Sequence, residues 1–183
     1  MIYAFDMDGT IVEAWYGKDT PEFYNGEADM ATRGTSSDLY EYVKPLPYIT
    51  PFLRAARNMD PNAKFVIVSR IVSGHEYLSK LNFIKKNFLD DDGKPFFAQD
   101  DLFGTTSDAD KLHVLELLAE NDDVIYFDDT LSTLSDITTA QNHKDKFSRH
   151  ILCVHATSLA TKRPAEIQNA YMVYNESFLK DFT

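Results

Sequence analysis

The chain has 183 residues, 44% of them hydrophobic and 13% aromatic, enough for one domain to bury roughly 70% of its unfolded surface. Its net charge of -11 opposes sequence-independent binding to polyphosphate backbones, which depends on basic patches, so nucleic acid is a disfavoured substrate. No apolar run approaches the roughly 18 residues of a membrane span, and Met1 leads straight into an apolar stretch; the expectation is a cytoplasmic protein with no membrane segment or signal peptide.

The first predicted element is a strand over residues 2–5, followed at once by Asp6-Met7-Asp8-Gly9-Thr10. Residues 13–46 lack periodicity and read as an irregular excursion, too short for a separate folded cap, so a single domain over residues 1–183 is expected. Within the excursion, Trp15, Tyr16, Phe23 and Tyr24 could stack on a base or sugar, or pack on the domain itself. A helix follows, with Thr50 as its N-cap, Pro51 in its first turn, and Phe52, Ala55, Ala56 and Met59 on one face; Asp60-Pro61 ends it.

A strand over residues 65–68 then delivers Ser69 and Arg70 to its carboxyl end. The next helix opens on a capping box, Ser73 with Glu76, and carries Tyr77, Leu81, Ile84 and Phe88 until Asp92-Gly93 breaks it; the acidic run 90–92 reads as a turn. A weaker strand is predicted over residues 95–98. A helix from Ser107 or Asp108 buries Leu112, Leu115, Leu118 and Ala119, and Lys111 lies in its first turn. The strand over residues 124–127 ends in Asp128-Asp129. A further helix from about Thr130 shows Leu131, Leu134 and Ile137, and the polar stretch 141–148 reads as a loop. The last predicted strand, residues 151–154, holds the single cysteine, Cys153, expected to be a buried and inert thiol. Arg163-Pro164 opens a short helix, and residues 170–182 are ambiguous.

Strands alternating with amphipathic helices predict an α/β fold: a Rossmann-like three-layer sandwich around a mainly parallel five-stranded sheet, with a minimal cap or none. Asp6, Asp8, Asp128 and Asp129 then fall at the carboxyl ends of two strands, where open parallel sheets bind ligands. If those strands are neighbours, the acids converge, and like charges about 4 Å apart repel by several kcal/mol at an effective dielectric near 20. Such a cluster needs raised pKa values or a hard divalent cation, and Mg²⁺ fits best. An Asx turn would explain the first motif alone, and a calcium loop fails because its sixth and twelfth positions would be Ile11 and Gly17. Ser69 could bind a phosphate oxygen or merely cap a helix. Lys111 opposes the macrodipole preference for acids in a first turn, so it is either a solvated surface lysine or a cation whose charge has a use.

Taken in order, the Asp6–Thr10 motif, Ser69, Lys111 and Asp128-Asp129 resemble the four motifs of the haloacid dehalogenase-like (HAD) superfamily, over residues 1 to about 138. The resemblance implies that Asp6 is a covalent nucleophile forming an aspartyl-phosphate. Asp8 would be the general acid and then the general base, which favours a phosphatase or phosphomutase over a dehalogenase. It also implies Mg²⁺ held by the Asp6 side chain, the Asp8 carbonyl and the Asp128-Asp129 pair. Ser69, Lys111 and backbone N–H groups after Asp6 would gather phosphoryl oxygens, and Arg70 could grip a second anionic group. The expected activity is hydrolysis of a small phosphate monoester, a nucleotide or sugar phosphate, at an open site. The alternatives are a phosphatase acting on a polynucleotide end or phosphoprotein, and a noncatalytic module that binds a phosphorylated ligand.

Overall fold

The computed structural model describes residues 1–13, 40, 43–142 and 151–180. Strand β1 is Ile2–Phe5, β2 Lys64–Arg70, β3 Leu102–Thr105, β4 Val124–Asp128 and β5 Ile151–His155. The helices are α1 Ile49–Met59, α2 Gly74–Asn87, α3 Asp108–Ala119, α4 Leu131–Asn142, α5 Thr157–Thr161 and α6 Pro164–Lys180. All strand pairs are parallel, in the order β3-β2-β1-β4-β5. The α/β class and the five-stranded sheet are therefore as expected from the sequence.

β1 is buried on both faces, and its residues alternate between two cores. Tyr3 and Phe5 point into an aromatic cluster with residues of α1, α2, α5 and α6, whereas Ile2 and Ala4 meet Leu115 and Ala119 of α3 and Leu134 and Ile137 of α4. Helices thus cover both faces, giving three layers. Phe5 stacks on Phe127 at 5.1 Å and meets Phe52 and Phe97 edge-on. Each fully buried phenylalanine contributes about 2–3 kcal/mol from area alone, so the sheet centre, from which the first acidic motif emerges, is firmly anchored.

Several boundaries differ from the sequence expectation. α1 begins one residue before Thr50, and Tyr48 occupies the cap position without a side-chain bond. Its buried stripe is Ile49, Phe52, Leu53 and Ala56, so Ala55 and Met59 are exposed. Ser73 caps α2 by accepting from the Glu76 N–H, but the Glu76 carboxylate accepts from the Val72 N–H, one residue beyond a reciprocal box. α2 ends at Asn87, well before Gly93. The third strand is Leu102–Thr105 and not residues 95–98. Phe96 and Phe97 are buried as predicted for a strand, but they pack on Phe65, Phe5 and Phe88 from a loop, and Pro95 has no N–H to offer a ladder.

Gln141, assigned by sequence to a loop, closes α4 and is buried. Its side-chain amide donates to the Ile151 carbonyl, and its oxygen accepts from the Ile151 N–H. Residues 170–180 are helical as part of α6. Cys153 is only partly exposed, and burial pushes its thiol up to about 11, with the Thr138 hydroxyl opposing and Asp128 adding to the shift. Trp15, Tyr16, Phe23 and Tyr24, most of the 13–46 excursion and most of the 141–148 stretch lie outside the described residues.

Candidate active site

The chain leaves β1 toward β2 and β3 on one side and later returns to β4 and β5 on the other. The carboxyl ends of β1 and β4 therefore flank the point where strand order reverses, the place where open α/β sheets form ligand crevices. Asp6 sits there because its N–H donates to the Phe127 carbonyl at 2.8 Å, extending the β1–β4 ladder by one residue. Asp128 is the last residue of β4, so the two acids share one edge.

After Asp6 the backbone curls so that the Met7 carbonyl accepts from the N–H groups of Thr10, Ile11 and Val12, while the Gly9 N–H donates to the Val12 carbonyl. Of the N–H groups following Asp6, those of Gly9, Thr10, Ile11 and Val12 are thus used within the turn. Gly9 has φ +80°, and a Cβ at this position would stand 2.3 Å from Asp129 Oδ2. The residue meets two demands, a left-handed backbone and close approach of a carboxylate.

Asp6, Asp128 and Asp129 each offer an oxygen within 4.8 Å of the others. Lys111, projecting from the first turn of α3, donates from Nζ to Asp6 Oδ1 at 3.1 Å and to Asp128 Oδ2 at 2.9 Å. Burial pushes Asp6 up to about 6; Lys111 opposes that shift and Asp128 adds to it. Burial alone would depress the Lys111 ammonium, but Asp6 and Asp128 outweigh it and hold the lysine above its ordinary value. At neutral pH the pair is thus a carboxylate and an ammonium. Lys111 uses two of its three N–H donors in these contacts, which leaves one for a guest anion.

The two consecutive acids differ in surroundings. Asp128 is fully buried: Oδ2 accepts from Lys111 and, at 2.5 Å, from the Tyr126 hydroxyl, while Oδ1 accepts from the Thr130 N–H. Burial next to Asp6 and Asp128 drives the Tyr126 phenol well above its ordinary range, so it remains a donor. Asp129 is half-buried and accepts a 3.5 Å bond from the Thr10 hydroxyl, with its pKa raised by burial and by Asp128. His155, which the sequence reading did not single out, faces the Asp129 carbonyl through Nε2 at 3.2 Å and the Thr157 hydroxyl through Nδ1 at 2.9 Å. Because a carbonyl only accepts, Nε2 carries the proton.

Asp8 points away from this triad into a second cluster. Its Oδ1 accepts from the Tyr40 hydroxyl at 2.7 Å, and its Oδ2 lies 3.0 Å from Lys80 Nζ. Lys80 has no exposed surface and also donates to Ser69 Oγ and to the Arg70 carbonyl, both at 2.8 Å. Sequence reasoning gave Tyr40 no role and offered Lys80, with Lys85 and Lys86, only as a substitute for Lys111. A signal for Lys80 did exist: Glu76 and Lys80 share the helix face of Phe83 and Ile84, so a charged pair lies on a buried stripe. Arg70 is exposed at the end of β2, and it is its carbonyl that joins the cluster.

Three carboxylates against one ammonium leave two uncompensated charges in the Asp6–Asp128–Asp129 group, each pair of like charges at about 4 Å costing about 4 kcal/mol at an effective dielectric of 20. The donors are all hard oxygens, so a small divalent cation such as Mg²⁺ fits this set by charge and by chemistry. Asp128 already accepts three hydrogen bonds, so half-buried Asp129, with its long bond from Thr10, is the more available of the two for such an ion.

No family model matches the chain, and no curated protein matches it either. Among solved structures it is similar to the HAD domain of effector protein Lem4 from Legionella pneumophila, with 17% identity and a TM-score of 0.41, covering 82% of this chain and 85% of that one. Among the described residues, no helix is long and apolar enough to cross a membrane.

Proposed function

We propose that this chain is a Mg²⁺-dependent phosphatase of the HAD type that hydrolyses a small phosphate monoester, a nucleotide or sugar phosphate, through an aspartyl-phosphate on Asp6. The observation that carries the reading is the division of labour between the first two acids. Asp6 is bound by Lys111 inside the acidic triad, while Asp8, two residues on, is held by Tyr40 and Lys80 outside it. One carboxylate is thus set up to attack and the other to move a proton.

In the first step Asp6 Oδ2 forms a bond to phosphorus as the ester P–O bond breaks, and Asp8 gives its proton to the departing oxygen. The remaining N–H of Lys111 and the Ser69 hydroxyl meet charge that develops on the nonbridging oxygens. In the second step water attacks the phosphoaspartate, Asp8 takes the water's proton, and Asp6 leaves as a carboxylate with release of inorganic phosphate. Mg²⁺ held by Asp6, Asp128, Asp129 and the Asp8 carbonyl would offset repulsion between these acids and an incoming phosphate dianion.

The test is release of phosphate from p-nitrophenyl phosphate with and without Mg²⁺. It is followed by a panel of mononucleotides, sugar phosphates, phosphopeptides and 3′-phosphorylated oligonucleotides. Mg²⁺-dependent turnover with preference for the small esters is expected. Preference for the oligonucleotide or phosphopeptide would move the substrate class to polymers. Binding of these ligands without any turnover would leave a noncatalytic module.

A further inference from the structure

The two buried lysines of the site differ in how many of their hydrogen atoms remain for a ligand. An ammonium has three N–H donors and no acceptor. Lys80 has four protein oxygens around it: Ser69 Oγ and the Arg70 carbonyl at 2.8 Å, Asp8 Oδ2 at 3.0 Å and Glu76 Oε1 at 3.4 Å. All three donors are therefore committed to the protein, and the side chain has no exposed surface. Lys111, in contrast, contacts two oxygens and retains a donor.

From this geometry, and resting on the phosphatase reading above, we infer that Lys80 is a positioning residue: it fixes the Asp8 carboxylate for proton transfer to the leaving oxygen and does not itself bind phosphate. Three observations carry this. The Lys80 contact and the Tyr40 hydroxyl grip different oxygens of Asp8, which fixes the plane of the carboxylate. Glu76, fully buried one helical turn before Lys80, sets the lysine from the far side and is itself tied down by the Val72 N–H. Because Ser69 Oγ accepts from Lys80, its own hydroxyl hydrogen is directed elsewhere, which obliges Ser69 to act as a donor. One lysine on α2 thus sets the geometry of a carboxylate from the β1 turn and of a hydroxyl from β2.

A residue that acts through the proton donor has a kinetic signature that a merely structural residue lacks. Loss of general acid help hurts esters of poorly acidic alcohols and spares esters whose leaving group needs no proton. The experiment measures kcat/KM, which reports the step that expels the leaving group, for a series of phosphate esters running from 2,4-dinitrophenyl through phenyl to alkyl. Wild type, Lys80→Met and Lys111→Met are compared at saturating Mg²⁺. For Lys80→Met the alkyl ester should lose about 100-fold or more, and the dinitrophenyl ester less than about threefold. Lys111→Met should instead depress the whole series by a similar factor.

Removing Lys80 alone strands buried Glu76, so the double variant Lys80→Met/Glu76→Gln, which deletes both charges, is measured beside it. The same steepened dependence on leaving-group acidity is expected there. A parallel fall across the series in the double variant, or no fall at all, overturns the positioning role while leaving the phosphatase reading intact. A wild-type protein that turns over none of the esters sinks both.

Discussion

Lys111 Nζ lies 3.1 Å from Asp6 Oδ1 although 105 positions separate the two residues in the chain. The contact links the first turn of α3 to the turn after β1, and through Asp128 it also reaches the end of β4. A single buried cation therefore holds together Asp6, Asp128 and the helix that precedes β4.

Replacing Asp6 with asparagine should abolish turnover without harming the fold. The substitution is nearly isosteric and removes one of three crowded charges, so in metal-free buffer at pH 7 the melting temperature should equal or exceed that of wild type. Phosphatase activity above a few per cent of wild type would take the nucleophile's role away from Asp6.

Lys111→Met should affect both stability and rate. Without its ammonium, Asp6 and buried Asp128 lose their shared partner, and breaking a buried pair in this way costs about 3–5 kcal/mol. Urea denaturation of the metal-free variant measures this, and added Mg²⁺ should recover part of it. Turnover at saturating Mg²⁺ should fall about 100-fold or more, as for loss of a donor to a developing oxyanion. An unchanged rate would show that the phosphoryl group does not meet Lys111.

The raised Asp6 sets the direction of a pH dependence. With its pKa near 6 in the folded state against 3.8 ordinarily, the folded metal-free protein binds more protons than the unfolded chain between those values. Stability linked to Asp6 is therefore fully present below about 4 and is lost as pH rises through about 6. Mg²⁺ competes with those protons, so the rise in melting temperature on adding it should be larger at pH 7 than at pH 5. Equal shifts at the two pH values, or no shift at either, would argue against a cation among these acids.

Gly9→Ala should disturb the site more than its size suggests. The left-handed backbone costs an alanine about 1–2 kcal/mol, and the new methyl carbon would meet the Asp129 carboxylate. The expected result is a lower melting temperature together with weaker Mg²⁺ affinity, measured by isothermal titration calorimetry. A variant that binds Mg²⁺ as wild type does would mean that Asp129 can move aside without consequence.

The centre of the sheet and the acids at its edge were legible because both are local in sequence. Short apolar runs end in carboxylates at Asp6 and Asp128, and parallel pairing does the rest. Elements toward the periphery were harder. Phe96 and Phe97 carry a strand's apolar density, yet the strand is Leu102–Thr105, an edge strand whose Gly104 adds no side chain to the pattern. Met59 has the spacing of a buried residue, but α1 starts at Ile49, and the stripe shifts back by one turn. Lys80 and Tyr40 reach Asp8 only through tertiary contact, so no spacing in the sequence pairs them with it. The Glu76–Lys80 pair on the face of α2 that carries Phe83 and Ile84 was the one sequence feature that marked the place.

The doubly hydrogen-bonded Gln141 has a practical implication for engineering. Because its amide satisfies both backbone groups of Ile151, the end of α4 and the start of β5 are fastened directly to each other. A redesign that replaces Gln141 with an apolar residue would strand both Ile151 backbone groups, at about 1–3 kcal/mol each.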